Sequence, residues 1–96
     1  MGTKVFSSGL KTANAVIQTG RNRINAITLL GDGTNAASLI VYDHPSAASG
    51  LVLAKITALA ATRFTHVIFE NPVVAEDGIF ADVTGTGAEY IIYFGG

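Results

Sequence analysis

Four residues of the kind that carry hydrolytic chemistry fall close together: Asp43, His44, Ser46 and Ser49, in the stretch YDHPSAASG over 42–50. A triad needs a base within hydrogen-bond reach of the nucleophile and a third group that orients the base. Here the spacing works against it. Adjacent Asp and His in an extended chain point to opposite faces. Pro45 biases His44 toward extended backbone, and no Gly-x-Ser-x-Gly elbow is present. The stretch reads instead as a strand end and a turn: Asp43 caps the loop, Pro45 sets a dihedral and Gly50 closes it.

The remaining chemistry-bearing residues read the same way. His66, in FTHVIFE, could join His44, with Asp43 or Glu70, as a metal pair, but two histidines without a signature spacing do not define a site. Glu70, Glu76, Asp77, Asp82 and Glu89 could supply paired carboxylates across a sugar cleft; at turns and on strand faces they read as solvated side chains. GTGAE at 85–89 lacks the Lys-Ser or Lys-Thr and the following helix of a phosphate loop. GDGTN at 31–35 lacks the ligand series and closing Glu of a calcium loop. It reads as a hairpin connection between the strands on either side. An exposed pair of Tyr90 and Tyr93 could bind carbohydrate; the other aromatics read as core or interface. The residues therefore assign no catalytic, metal or cofactor-binding position, and the chain reads as a non-enzyme.

The elements that carry these residues are short. Glycines and small polar residues break the chain near 7–9, 19–22, 31–35, 43–50, 61–63, 71–72, 76–78 and 84–89. The apolar, β-branched runs between them predict strands near 13–19, 23–30, 37–43, 51–58, 64–70, 72–75, 78–84 and 89–94. Residues 50–64 also carry helical spacing at Leu51, Ala54, Lys55, Ala58 and Leu59. Val52, Ile56 and Thr57 favour the strand. About eight short strands give an all-β, antiparallel β-sandwich over 13–96, with jelly-roll, Greek-key and immunoglobulin-like orders open. Residues 1–12 read as an N-terminal arm.

Alternation assigns faces. Ile79, Ala81 and Val83 oppose Phe80, Asp82 and Thr84; Tyr90, Ile92 and Phe94 oppose Ile91 and Tyr93; Val52, Ala54 and Ile56 oppose Lys55. Several strands are thus apolar on both faces, where a two-layer sandwich should be wet outside. Composition agrees. The chain of 96 residues is 49% hydrophobic and 14% charged, against roughly 25% charged in ordinary domains. A small domain has much surface, so part of that surface is expected to be covered by a partner. The net charge is −1, with six basic residues scattered, so no basic stripe is present for nucleic acid. The chain has no cysteine, no secretory leader pattern and no run of about 18 apolar residues for a membrane helix.

The order of segments carries a resemblance. TGRNRINAITL is followed by ASLIVYD, a small-residue loop closed by Gly50, LVLAKI, and then VIFENPVVAEDGIFADVTGTGAEYIIYFG. This order, at Gly20, Arg21, Tyr42, Asp43, Gly50, Gly78, Thr84, Gly85, Gly87, Tyr90 and Tyr93 and over residues 16–96, resembles small β-sandwich virion structural proteins of tailed bacteriophages. The resemblance implies a capsid decoration or cement protein on the capsid surface, made in the host cytoplasm. It would bind the major capsid protein as a homotrimer, without cofactor, nucleic acid or membrane. A tail, fibre or baseplate-associated structural protein and a carbohydrate-binding module are the alternatives.

Overall fold

The structure, a computed structural model, describes residues 4–60 and 63–95. Eight strands follow in order: β1 (Val5–Ser7), β2 (Ala15–Thr19), β3 (Asn22–Leu30), β4 (Ala37–Asp43), β5 (Leu51–Ala58), β6 (Phe64–Ala75), β7 (Gly78–Thr84) and β8 (Glu89–Gly95). They form two four-stranded antiparallel sheets, β1-β8-β3-β6 and β2-β7-β4-β5. The pairs β1/β8, β2/β7, β3/β6 and β4/β5 are those of one long hairpin folded at its β4–β5 tip. Rolling that hairpin into two layers brings β8 beside β3 and β7 beside β4. This is the jelly-roll order.

The core lies between the sheets. Ile24, Ile27, Leu29, Leu39, Val41, Ile79, Tyr90 and Ile92 are its large fully buried side chains, and Phe94 with alanines at 37, 58, 75, 81 and 88 completes it. Alternation holds in β7, where Ile79 and Ala81 are buried and Phe80 and Asp82 are half-buried. It holds in β8, where Tyr90, Ile92 and Phe94 face inward and Ile91 and Tyr93 outward.

Four expectations are corrected. GDGTN is no hairpin: β3 and β4 lie in different sheets, so residues 31–36 cross between the layers. Asp32 shapes the crossing by accepting the N–H groups of Thr34 and Asn35 at 2.8 and 2.7 Å. In β5 an irregularity in the pairing with β4 leaves Tyr42 opposite Val52 and Val41 opposite Ala54. Leu53 then packs on the core, and Val52 turns outward with Lys55, away from Ala54 and Ile56. A bulge shifts facing by one residue, which simple alternation cannot register. The two strands expected at 64–70 and 72–75 are one strand, β6, with a register break between Ile68 and Val73 opposite Ile24 and Ala26. Finally, no strand was expected before residue 13, yet Val5–Ser7 pairs with Tyr93–Gly95. The helical spacing of 51–58 is overridden by pairing with β4.

The segment read as an arm, from Lys4 on, runs along β8; residues 1–3 lie outside the described residues. Ser8 exchanges hydrogen bonds with Ile92, and Lys11 with Tyr90, all at 2.9 Å. The phenol of Tyr90 donates to the Ala13 carbonyl at 2.7 Å, and Asn14 accepts the Val83 N–H at 2.8 Å. This segment therefore laces one sheet to the other.

Candidate interaction surface

Asp43 ends β4 with its carboxylate turned toward the β6–β7 connection. Oδ2 accepts the N–H of Glu76 at 3.0 Å; Oδ1 accepts those of Asp77 at 2.8 Å and Gly78 at 3.3 Å. Burial is the largest single influence and pushes its pKa up. The three N–H groups and the neighbouring His44 outweigh it and hold the carboxyl below its ordinary value. His44 Nδ1 accepts the N–H groups of Ser46 and Ala47, each at 3.0 Å. Both groups are thus engaged by backbone. Among the described residues no hydrogen bond joins Asp43 to His44 or His44 to a serine hydroxyl, so the four residues form a corner and not a triad.

The same end of the sandwich gathers other landmarks of the sequence. Gly20 N–H donates to the Asp77 carbonyl at 2.9 Å. Arg21 pairs with Glu76 at 3.0 Å in the open. A methyl on Gly78 would sit 2.9 Å from the carbonyl oxygens of Gln18 and His44 and from Pro45 Cα. Gly20, Arg21, Asp43 and Gly78 are therefore parts of one joint that locks the β6–β7 connection onto β2 and β4.

The other candidates are dispersed. His66 stands on the outer face of the first sheet, its Nδ1 2.6 Å from Thr28 Oγ1, whereas His44 belongs to the corner after β4. Among the described residues no three of His, Asp and Glu stand together as a metal set. Glu70, Glu76 and Asp77 are exposed, and Asp82 and Glu89 are half-buried on the outer faces of β7 and β8. Tyr90 is 0% exposed, and burial raises its pKa to about 12. It presents no ring face to a ligand, so the exposed Tyr90–Tyr93 pair is not formed. A cleft of about 250 Å³ lies among Phe6, Arg21, Asn22, Arg23 and Gly95, apart from His44, His66 and Tyr93.

What the fold does assemble is apolar surface on both outer faces. Cross-strand neighbours share a face, so the register reads out each row. On the second sheet, Val16 pairs with Phe80, Phe80 with Tyr42 and Tyr42 with Val52. This apolar row crosses all four strands. Beside it Lys55, Ile40 and Asp82 form the next row. On the first sheet, Ile68, Ala26 and Tyr93 form one row, His66, Thr28 and Ile91 a second, and Phe64, Leu30 and Glu89 a third. Ile68 and Phe64 are 72% and 59% exposed. Incomplete alternation already signals two-sided apolar strands. The rows themselves depend on register, and Val52 joins one only through the bulge.

No family model, curated protein or solved structure matches this chain.

Proposed function

We propose that this chain is a non-enzymatic structural protein of a virion, a capsid decoration or cement protein that bridges subunits of the major capsid protein. One observation carries the reading: both outer faces of a small jelly roll bear apolar rows where a solitary sandwich would be wet. A protein whose task is to be covered by neighbours needs such faces and needs few charges. The jelly roll is a frequent architecture of capsid and lectin domains, although a fold does not by itself assign a task. The segment order, which resembles that of phage β-sandwich proteins, supports the finer reading of a place on the capsid surface. The mechanism is mass action. Surface buried across subunit seams binds the assembled shell and not the separated subunits, so it stabilises the shell against rupture.

The test mixes purified shells lacking this protein with the protein and reads the bound fraction by co-sedimentation and its position by electron microscopy. Symmetry-related binding with an outer sheet against capsid protein is expected. Val16→Glu with Val52→Glu places charge in the exposed ends of one row and should weaken binding about tenfold or more, as desolvating a carboxylate demands. Density on the tail would move the protein to the tail, fibre or baseplate class. No binding to any part of the particle would overturn the reading.

A further inference from the structure

The four sheet edges differ in how they are guarded. Free edge strands template pairing with another chain, and proteins blunt them with shortness, bulges, proline or lysine. β1 has 3 residues. β2 has 5 residues and a register shift between Val16 and Gln18. β5 carries Lys55 and its own irregularity. The far half of β6 carries the register break and Pro72. The segment Phe64–Ile68 has none of these devices. It is regular, pairing residue for residue with Leu30 to Ala26. It contains no charge, proline or glycine. Among the described residues its backbone pairs with β3 alone.

We propose that Phe64–Ile68 is a self-association edge, pairing antiparallel with the same segment of a second copy about a twofold axis at His66. The occupant follows from the spacing. Antiparallel partners share a face, and this register sets Phe64 opposite the second copy's Ile68, Thr65 opposite its Val67, and His66 opposite its own counterpart. The two largest exposed apolar groups of the edge cover each other. Shifting the axis by one residue to Val67 would set Phe64 against Glu70, burying a carboxylate against a ring. Centring on His66 is also the register that pairs the whole regular segment with itself before the break beyond Ile68 interrupts it. The result is one continuous eight-stranded sheet, β1-β8-β3-β6 extended by its copy. The row of Ile68, Ala26 and Tyr93 then continues into Phe64 and Leu30 of that copy. The contact is isologous and closes at two copies.

The test uses the purified full chain and does not depend on the virion reading. Sedimentation velocity over a concentration series up to about 1 mM, the weak end of ordinary affinities, should show a monomer–dimer equilibrium. Hydrogen exchange should show amide protection within Phe64–Ile68 that grows with concentration. Ile68→Lys, at a position 72% exposed, should weaken the dimer at least tenfold with the fold intact by circular dichroism. Phe64→Lys is the second variant should the first not fold, and Val52→Lys on the other sheet should leave the dimer unchanged. A monomer at every concentration, a trimer, or a dimer lost in Val52→Lys but kept in Ile68→Lys would overturn the proposal.

Discussion

Removing the Asp43 carboxylate tests the joint at the end of the sandwich. In Asp43→Ala three backbone N–H groups lose their acceptor. Glu76 and Asp77 are exposed, so their N–H groups turn to water, at about 0.5–1 kcal/mol each. Gly78 is buried, and its N–H is left bare at about 1–3 kcal/mol. The sum is about 2–5 kcal/mol, which for a domain of this size lowers Tm on the order of 10–40 °C. Asp43→Asn keeps one acceptor oxygen and should cost about half as much. Thermal unfolding followed by circular dichroism measures both. The pH dependence has a defined sign. The folded-state pKa of Asp43 is lowered, so its stabilisation is fully present above the unfolded value of about 3.9 and is lost as pH falls through the folded value. Asp43→Asn does not titrate, so the gap between the two proteins should narrow below about pH 4. Taking the difference also removes Asp32, whose carboxylate is held low by hydrogen bonds from Asn35 and Thr34. A gap that stays constant into strong acid, or an alanine variant within about 0.5 kcal/mol of wild type, would refute this account of the joint.

Three further outcomes follow from named contacts. Tyr90→Phe removes the hydrogen bond to Ala13 and should cost about 1 kcal/mol in denaturant unfolding. Because burial raises the Tyr90 pKa to about 12, the associated stability is fully present below about 10 and is lost as pH rises through the folded value. An alkaline unfolding series should show that loss, and Tyr90→Phe should lack it. Gly85 has φ of +117°, and a methyl there would overlap the Ala36 carbonyl oxygen; Gly85→Ala should destabilise by about 2–3 kcal/mol, read as a lowered unfolding midpoint. Arg21→Ala breaks an ion pair whose side chains are 65% and 60% exposed and should change stability by less than about 1 kcal/mol, with any effect shrinking in high salt.

Much of the fold was legible because strand chemistry is local. β-branched runs between glycine turns located seven of the eight strands in the structure, β6 as two pieces, and alternation gave the correct inward faces of β7 and β8. The strand β1 escaped because three residues, Val5–Ser7, are too short to show a period. The corner at Asp43 was legible as a turn from Pro45 and Gly50. Its acceptors' targets were not, since Glu76, Asp77 and Gly78 lie more than thirty positions away in the chain. The candidate surface was legible only as an excess of apolar residues.

The sequence by itself determined that the chain makes short strands, that several are apolar on both sides, and that Asp43, His44, Ser46 and Ser49 lie at a strand exit. Propensity, alternation and turn chemistry act over a few residues, so they can be read along the chain. Tertiary structure alone decided which strands meet. It placed GDGTN between the layers, buried Tyr90 at the core, and turned Val52 outward through a bulge. It also left Phe64–Ile68 at an unguarded edge. Those outcomes depend on register and on pairing between distant segments, and a shift of one residue in register sends every following side chain to the opposite face.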